Sequence, residues 1–391
     1  MIRVIFKILA ILVFLATGQE VCGQVNHFSR WEDYSAFQED YRLDTTRSEQ
    51  FYIRIRNANF FKNNEYASEF RTGSSITGLF IRPSLDYYLS PRTVIRAGAH
   101  LLKYYGRDEI ERASPVLTIH HILNDHVSLV FGTIYGTVNH GLKEPVFGFE
   151  KYLLDNYENG FQFLFDYDGF RGDIWLNWEQ YIKEGDPFQE KFTIGASTCF
   201  DLYHTGSLSL EMPFQALLRH AGGQIDNTSL PSGTQGNFLQ GLRLELKGNG
   251  DFVNRLVLEQ SWLQFAEINP GGHISIPYGF ANYSVFKMDT KLGEIGFGYW
   301  RSTDFKAPHG EGLFLPYSDY REGFYLAERE ILAVKYQYFA PLNDYLDFIL
   351  RFEPYYHFHS GRIDHSFSVF LLVNTDFFLA EAGRRGQKTA R

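Results

Sequence analysis

The feature that most constrains this chain is a regular alternation of short turns and long polar connections between stretches of about ten residues. Within each stretch apolar and polar residues alternate, as between 161 and 167, where every second residue is Phe or Tyr. A period of two is that of a β-strand, because successive side chains point to opposite faces. Since patterns with a helical period are almost absent, the sequence predicts an all-β protein.

Turn signals divide the chain into hairpins. Tight turns rich in Gly, Asn, Asp and Pro lie at 90–93, 124–126, 168–172, 204–206, 247–251, 289–293 and 341–344. These seven turns predict fourteen strands, and the runs 51–60 and 366–378 raise the number to sixteen. The longer connections lie at about 62–75, 106–114, 137–159, 183–190, 218–236, 263–276, 303–327 and 357–364. Short and long connections therefore alternate strictly.

This asymmetry favours a barrel that crosses an outer membrane over a soluble sandwich or propeller. In outer-membrane barrels short turns face the periplasm and long loops face outside. A sheet in lipid must close, because an open edge would leave backbone groups without hydrogen bonds. We therefore expect a transmembrane antiparallel up-and-down β-barrel of about 16 strands, with 14 as the fallback, and a soluble all-β fold as the alternative.

The alternation also assigns a face to each side chain. An Arg or Lys facing lipid at mid-bilayer costs about 2–4 kcal/mol, so the polar face is expected to line the lumen. The predicted lumen-lining residues are Arg54, Arg56, Arg96, His100, Gln162, Asp166, Asn177, Glu179, Glu211, Arg243, Glu245, Arg255, Glu259, Lys335, Arg351 and Glu353. Because these charges carry both signs, the sequence predicts ion pairing or weak selectivity rather than a pore for one sign of ion.

The N-terminus has the pattern of a secretory signal. Arg3 and Lys7 precede an apolar run that is too short to span a bilayer as a helix. The predicted organisation is a signal peptide at 1–23, a periplasmic N-terminal segment at 24–50, a transmembrane β-barrel at 51–379 and a polar C-terminal tail at 380–391. After removal of the signal Cys199 is alone, so we expect no intrachain disulfide and no cysteine-based metal site.

From about 45 to 379 the chain resembles porin-like outer-membrane barrels of Gram-negative bacteria with sixteen strands. The resemblance rests on topology, and the residues after Phe378 depart from the family's habit of ending on an aromatic residue. In that family the third outside loop often narrows the lumen. The resemblance therefore implies a constriction loop between Thr137 and Asn159, with an acidic lining from Glu144, Glu150, Asp155 and Glu158.

These features predict a passive channel for small polar solutes, without enzymatic activity, cofactor or bound metal. The alternative is a non-conducting surface barrel whose extracellular loops bind a glycan or a protein partner. An enzyme is the third hypothesis, with His357, His359 and Ser360 in a polar loop as its candidate residues. The expected partners are outer-membrane lipids and solutes, and a homo-oligomer or surface protein partner stays open. The net charge of −9 and the lack of a Lys/Arg cluster before the tail argue against nucleic acid.

Overall fold

The computed structural model describes residues 34–39, 42–248, 252–269 and 277–382. The predicted signal peptide lies outside these residues, as do parts of the predicted N-terminal segment and C-terminal tail. The described residues form sixteen strands. The strands are β1 Gln50–Glu65, β2 Ser75–Ser90, β3 Thr93–Tyr104, β4 Arg112–Asn124, β5 Val127–Thr133, β6 Asn159–Tyr167, β7 Phe170–Gln180, β8 Lys191–His204, β9 Leu208–Ala221, β10 Gly233–Lys247, β11 Val253–Asn269, β12 Tyr278–Thr290, β13 Gly293–Thr303, β14 Glu328–Asn343, β15 Leu346–His357 and β16 Arg362–Glu381.

The sixteen strands form one closed antiparallel barrel. Each strand pairs with its neighbours in sequence, and β1 closes the ring against β16 with Arg54 opposite Asp376. Closure leaves no edge strand, as a sheet in hydrocarbon requires. The prediction of a sixteen-strand up-and-down barrel is confirmed. No helix within the described ranges has the length and hydropathy needed to cross a bilayer.

The outer surface of the barrel is apolar. Leu117, Phe131 and Leu258 are each more than half exposed, although they lie in the middle of strands. The residues next to them in sequence, such as Thr118 and Glu259, are buried inside the ring. Exposed apolar side chains in this number are typical of a surface that meets lipid, so the chain is an outer-membrane barrel.

The lumen is filled rather than open along its length. Two long connections, 134–158 after β5 and 304–327 after β13, fold into it and pair through Gly148 and His309, whose N–H and C=O groups lie 2.7 Å apart. They pack on inward-facing aromatic residues, including Trp175, Tyr283 and Trp300. The N-terminal residues 34–39 fill a second region, where Phe37 contacts Phe149 and Phe370. The connection 134–158 contains a short helix, α1 (Glu150–Leu154).

One predicted connection is wrong. Residues 357–364 were expected to form a long polar loop, but β15 continues to His357 and β16 begins at Arg362. Only 358–361 lie outside strands, and Gly361 adopts a positive φ of 65° in this turn. The polar residues His357 and Asp364 point into the lumen, where they are fully buried. Their polarity reflects the inner face of the barrel and not a solvated loop.

Candidate functional site

The charged residues of the lumen form ion pairs across neighbouring strands. Among the residues predicted to line the lumen, the buried ones are Arg54, Arg96, His100, Gln162, Glu211, Arg243, Glu245, Glu259, Arg351 and Glu353. The partly buried ones are Arg56, Asp166, Asn177, Arg255 and Lys335. The Glu179 side chain is 19% exposed. Arg243 shows the pattern, with Glu259 at 2.9 Å and Glu211 at 3.4 Å. The opposite charges of such a pair neutralise one another, which weakens any preference for one sign of ion at that place.

The four acidic residues of the connection 134–158 are also paired. Glu144 contacts Lys335 and Tyr355, and Glu150 lies 2.8 Å from Lys62 and also contacts Arg71. Glu158 contacts His140. Asp155 pairs with Arg112 in a more exposed place. Glu144, Glu150 and Asp155 anchor the connection to strands of the wall, whereas Glu158 pairs within the connection.

His140 is the single histidine of this connection, and it is fully buried. Its Nδ1 lies 2.7 Å from Asp173 and its Nε2 lies 3.2 Å from Glu158, and the ring stacks on Trp175. Burial alone would lower the pKa of His140, but the two carboxylates outweigh it and raise the pKa to about 9. An imidazolium that is enclosed in this way stabilises the fold and is not a general base at neutral pH.

The outer end, where the long connections lie, holds two further histidine clusters. In the first, His357 Nε2 lies 2.9 Å from Asp364, whose second oxygen accepts hydrogen bonds from the backbone N–H groups of Ala67 and Ser68. Arg329 approaches His357 Nδ1 at 3.2 Å, so both ring nitrogens are engaged. This cluster pins the connection 66–74 to the wall. Of the other predicted candidates, His359 is partly exposed and Ser360 has no side-chain hydrogen bond to the described residues.

The second cluster joins three chemically reactive groups. Glu179 lies near the end of β7, Thr193 near the start of β8, and His309 in the connection 304–327. His309 Nε2 lies 2.9 Å from Glu179 Oε1 and 2.9 Å from Thr193 Oγ1. Arg219 Nε, from β9, lies 3.3 Å from the other oxygen of Glu179. A histidine in contact with a carboxylate and a hydroxyl is an arrangement that supports acid–base chemistry.

His309 is suited to act as a base. Its pKa is lowered by burial, and the hydrogen bond that the ring donates to Glu179 offsets that effect only in part. The imidazole is therefore neutral at pH 7 and able to accept a proton. Its exposed fraction of 9% contrasts with 0% for His357, so His309 keeps contact with solvent.

The two connections next to this cluster carry exposed apolar side chains. The connections 181–190 and 222–232 leave the strands that carry Glu179, Thr193 and Arg219, and they pair through Gly185 N–H and Ile225 C=O at 2.8 Å. Tyr181 is 70% exposed and Leu230 is 63% exposed, and Phe188 and Ile225 are exposed as well. We call Tyr181, Phe188, Ile225 and Leu230 the apolar rim.

Three side chains of types that bind metal ions lie together at the tight-turn end of the barrel. The side chains of Cys199, Asp201 and Glu211 approach one another there. Arg171 lies 2.9 Å from both carboxylates, and Arg243 also contacts Glu211. Because these guanidinium groups already neutralise the carboxylates, the residues fit an ion-pair network better than a cation site.

Comparison with known proteins decides the family. The model of the lipid A 3'-O-deacylase-type family matches residues 43–382, which is most of the chain. The chain belongs to this family. Among curated proteins none matches its sequence significantly.

Solved structures give the same fold at low identity. The outer-membrane protein OpdK from Pseudomonas aeruginosa has 10% identity and a TM-score of 0.52, over 84% of this chain and 100% of its own. OprD from the same organism has 9% identity and a TM-score of 0.51, over 87% of this chain and 97% of its own. These similarities support the prediction of a porin-like barrel in the outer membrane at the level of fold.

The prediction that the protein is not an enzyme is wrong, because the family whose model matches is an enzyme family. The error has a physical origin. Thr193 and His309 are 116 residues apart and share no motif, and only the folding of 304–327 into the lumen brings them together. The sequence offered one signal, the Pro308-His309-Gly310 turn within a long connection, and it does not identify a partner for the histidine.

Proposed function

We propose that this barrel hydrolyses an acyl ester of lipid A or a closely related glycolipid in the outer leaflet, with His309 as the base. The observation that carries the proposal is the contact of His309 Nε2 with both Glu179 and Thr193 at the outer end of the barrel. The name of the family supplies the class of substrate, a lipid A acyl chain in 3'-O linkage. The apolar rim lies where acyl chains of the outer leaflet would approach this cluster.

The proposed reaction adds water to the ester carbonyl. Neutral His309 accepts a proton from the water, and the Glu179 carboxylate stabilises the imidazolium that forms. The C–O bond to the sugar then breaks, the sugar oxygen takes the proton back from His309, and a free fatty acid and a sugar hydroxyl result. Thr193 is a positioning residue, since its hydroxyl holds both the ring and the carboxylate.

The test is acyl release from purified lipid A by the detergent-solubilised protein, followed by mass spectrometry. We expect His309→Ala to lower the rate by about 10²–10⁴-fold, the usual contribution of a positioned base. Thr193→Ala should lower it less, and Thr193→Ser should recover most of the activity. His359→Ala is the matched control, because this histidine also lies at the outer end but outside the cluster. A folded His309→Ala variant with wild-type activity would overturn the proposal.

The pH profile gives an independent test. Because the reaction needs neutral His309, activity is lost as pH falls through the pKa of this group, which burial lowers from its ordinary value of 6.5. We therefore expect the acid limb of kcat/KM to lie below pH 6.5. An acid limb at or above pH 7 would contradict a buried neutral base.

Diffusion of small polar solutes is the second candidate function. A cavity of about 780 Å³ at the tight-turn end, lined by Arg255, Lys291 and Gln337 among others, favours it. The packed segments 134–158 and 304–327 argue against a continuous path. Single-channel recording tests the candidate, and a silent membrane that contains folded protein would remove it.

Binding of a glycan or protein by the outer loops has weaker support. The candidate surface is the segment 314–325, where Tyr320 and Tyr325 are exposed, whereas Phe314 is fully buried in the lumen. Exposed tyrosines suit a binding surface. Capture of a partner that is lost in a Tyr320→Ser, Tyr325→Ser variant would support this role.

A further inference from the structure

Four arginines gather on one part of the lumen wall near the tight-turn end. Arg54 and Arg56 come from β1, Arg82 from β2 and Arg96 from β3. We call them the arginine cluster. Like charges at this proximity repel one another, so the cluster requires anions.

The wall itself supplies two carboxylates. Asp86 accepts two hydrogen bonds from Arg96, at 3.0 Å from Nε and 2.9 Å from the terminal nitrogen. Asp376 lies 3.1 Å from Arg56 and 3.9 Å from Arg54 Nε, and it also contacts Arg47 outside the cluster. Four guanidinium groups against two carboxylates leave the wall with an excess of positive charge.

The third carboxylate does not belong to the barrel. Glu39 comes from the N-terminal residues, and its two oxygens go to different arginines, Arg82 at 3.1 Å and Arg54 at 3.3 Å. Burial alone would raise the pKa of Glu39, but the arginines outweigh it and lower the pKa to about 2. Glu39 is therefore ionised and acts as the counter-ion of the cluster.

Two hydrogen-bond donors of the arginine cluster have no acceptor among the described residues even with Glu39 in place. The Nε–H groups of Arg54 and Arg82 are buried and have no hydrogen-bond acceptor among the described residues. Arg54 is 6% exposed, so bulk solvent contributes little. A buried donor without an acceptor destabilises the site, and a ligand with more oxygens than a carboxylate would supply the missing acceptors.

Two cavities meet at Glu39. A small one of about 20 Å³ lies among Arg54, Arg82, Arg96 and Tyr135, and it is large enough for a single water molecule. The cavity of about 780 Å³ at the tight-turn end is also lined by Glu39. The side chain of Glu39 thus stands between the arginine cluster and the space that leads to the periplasm.

From this arrangement we infer that the arginine cluster is a binding site for a phosphate group that enters from the periplasmic side, and that Glu39 is an internal competitor for it. A phosphate offers more acceptor oxygens than a carboxylate and pairs well with several guanidinium groups. The proposal is independent of ester hydrolysis at the other end of the barrel.

Titration calorimetry of the detergent-solubilised full chain with inorganic phosphate tests the inference. Glu39→Gln should bind phosphate at least tenfold more tightly than the wild type, because the competing charge is gone. Adding Arg54→Gln and Arg82→Gln to this variant should abolish the gain. Asp44→Asn is the matched control, since this N-terminal carboxylate contacts Arg47 and not the cluster, and it should bind as the wild type does.

A Glu39→Gln variant that binds phosphate no more tightly than the wild type overturns the inference, as does a gain that survives the loss of both arginines. Heat-modifiable mobility on a detergent gel verifies that each variant is folded. If Glu39→Gln does not fold, Glu39→Ala provides the same comparison. If neither folds, phosphate should raise the thermal midpoint of the wild type more than that of Arg54→Gln at equal ionic strength, and equal shifts would refute the site.

A parallel titration with glycerol 3-phosphate distinguishes an esterified phosphate from the free ion.

Discussion

At the scale of single residues, the packing of the lumen requires close contact between the barrel wall and the inserted segments 134–158 and 304–327. Gly195 of β8 lies opposite Trp175 of β7, and a Cβ at this position would stand 2.1 Å from the indole ring. The indole is buried and stacks on His140 with 3.5 Å between the ring centroids. The absence of a side chain at 195 therefore makes room for the ring that supports His140.

Gly195→Ala should destabilise the barrel by about 1–3 kcal/mol, because a fully packed ring must move. The measurement is the free energy of unfolding from a urea titration in lipid vesicles. Gly206→Ala is the matched control, since a Cβ there has no neighbour within 4 Å among the described residues. Equal stability of the two variants would show that the indole has room to adjust.

The ionisation of His140 gives the fold a dependence on pH. Its pKa is raised to about 9 in the folded state, so its contribution is fully present below pH 6.5 and is lost as pH rises through 9. Unfolding free energy should therefore fall by a few kcal/mol, on the order of 3, between pH 7 and 10. In His140→Gln this fall should be much smaller, and an identical slope in both proteins would contradict the assignment.

At the scale of elements, the sequence pattern predicts the wall well and its contents poorly. The alternation of Arg243 with Leu242 and Leu244 predicts that Arg243 faces the lumen and the two leucines face lipid. A shift of the strand by one residue would place the charge in lipid. Inward-facing Trp175, Tyr283 and Trp300 follow no such rule, since they are apolar and still point inward. Their inward orientation is explained by the segments 134–158 and 304–327, which pack on them.

The same limit applied to the candidate site. Glu179 was assigned to the lumen from the alternation in β7, but its partners Thr193 and His309 were not identified. The position of His309 depends on backbone contacts between the two inserted segments, such as the bond from Gly148 N–H to His309 C=O. Contacts between long irregular segments carry no periodic signal in a sequence.

The inserted segments 134–158 and 304–327 should prevent ions from passing through the lumen. Replacing 142–156 by a short Gly-Ser linker removes Val146, Phe149 and Leu153 from the packed lumen. We expect this variant to conduct ions in a planar bilayer, while the wild type conducts little. Shortening the exposed connection 222–232 by residues 224–229 is the control and should leave conductance unchanged. A silent linker variant that is correctly folded would mean that 304–327 and the N-terminal residues close the lumen on their own.

At the scale of the whole molecule, the barrel separates two chemically different ends. The outer end holds His309 with Glu179 and Thr193 beneath the apolar rim, and the periplasmic end holds the arginine cluster with Glu39. Between them, the segments 134–158 and 304–327 pack on the wall of the lumen. This architecture suits a rigid scaffold for chemistry at the membrane surface better than an open pore.

The mass of lipid A shows whether the outer end of the barrel removes an acyl chain from it. Lipid A should be extracted from Gram-negative cells that express the protein or its His309→Ala variant and compared by mass spectrometry. We expect the loss of one ester-linked acyl chain at the 3' position with the wild type and an unchanged mass with the variant. Unchanged lipid A in cells whose outer membrane contains folded wild-type protein would contradict it.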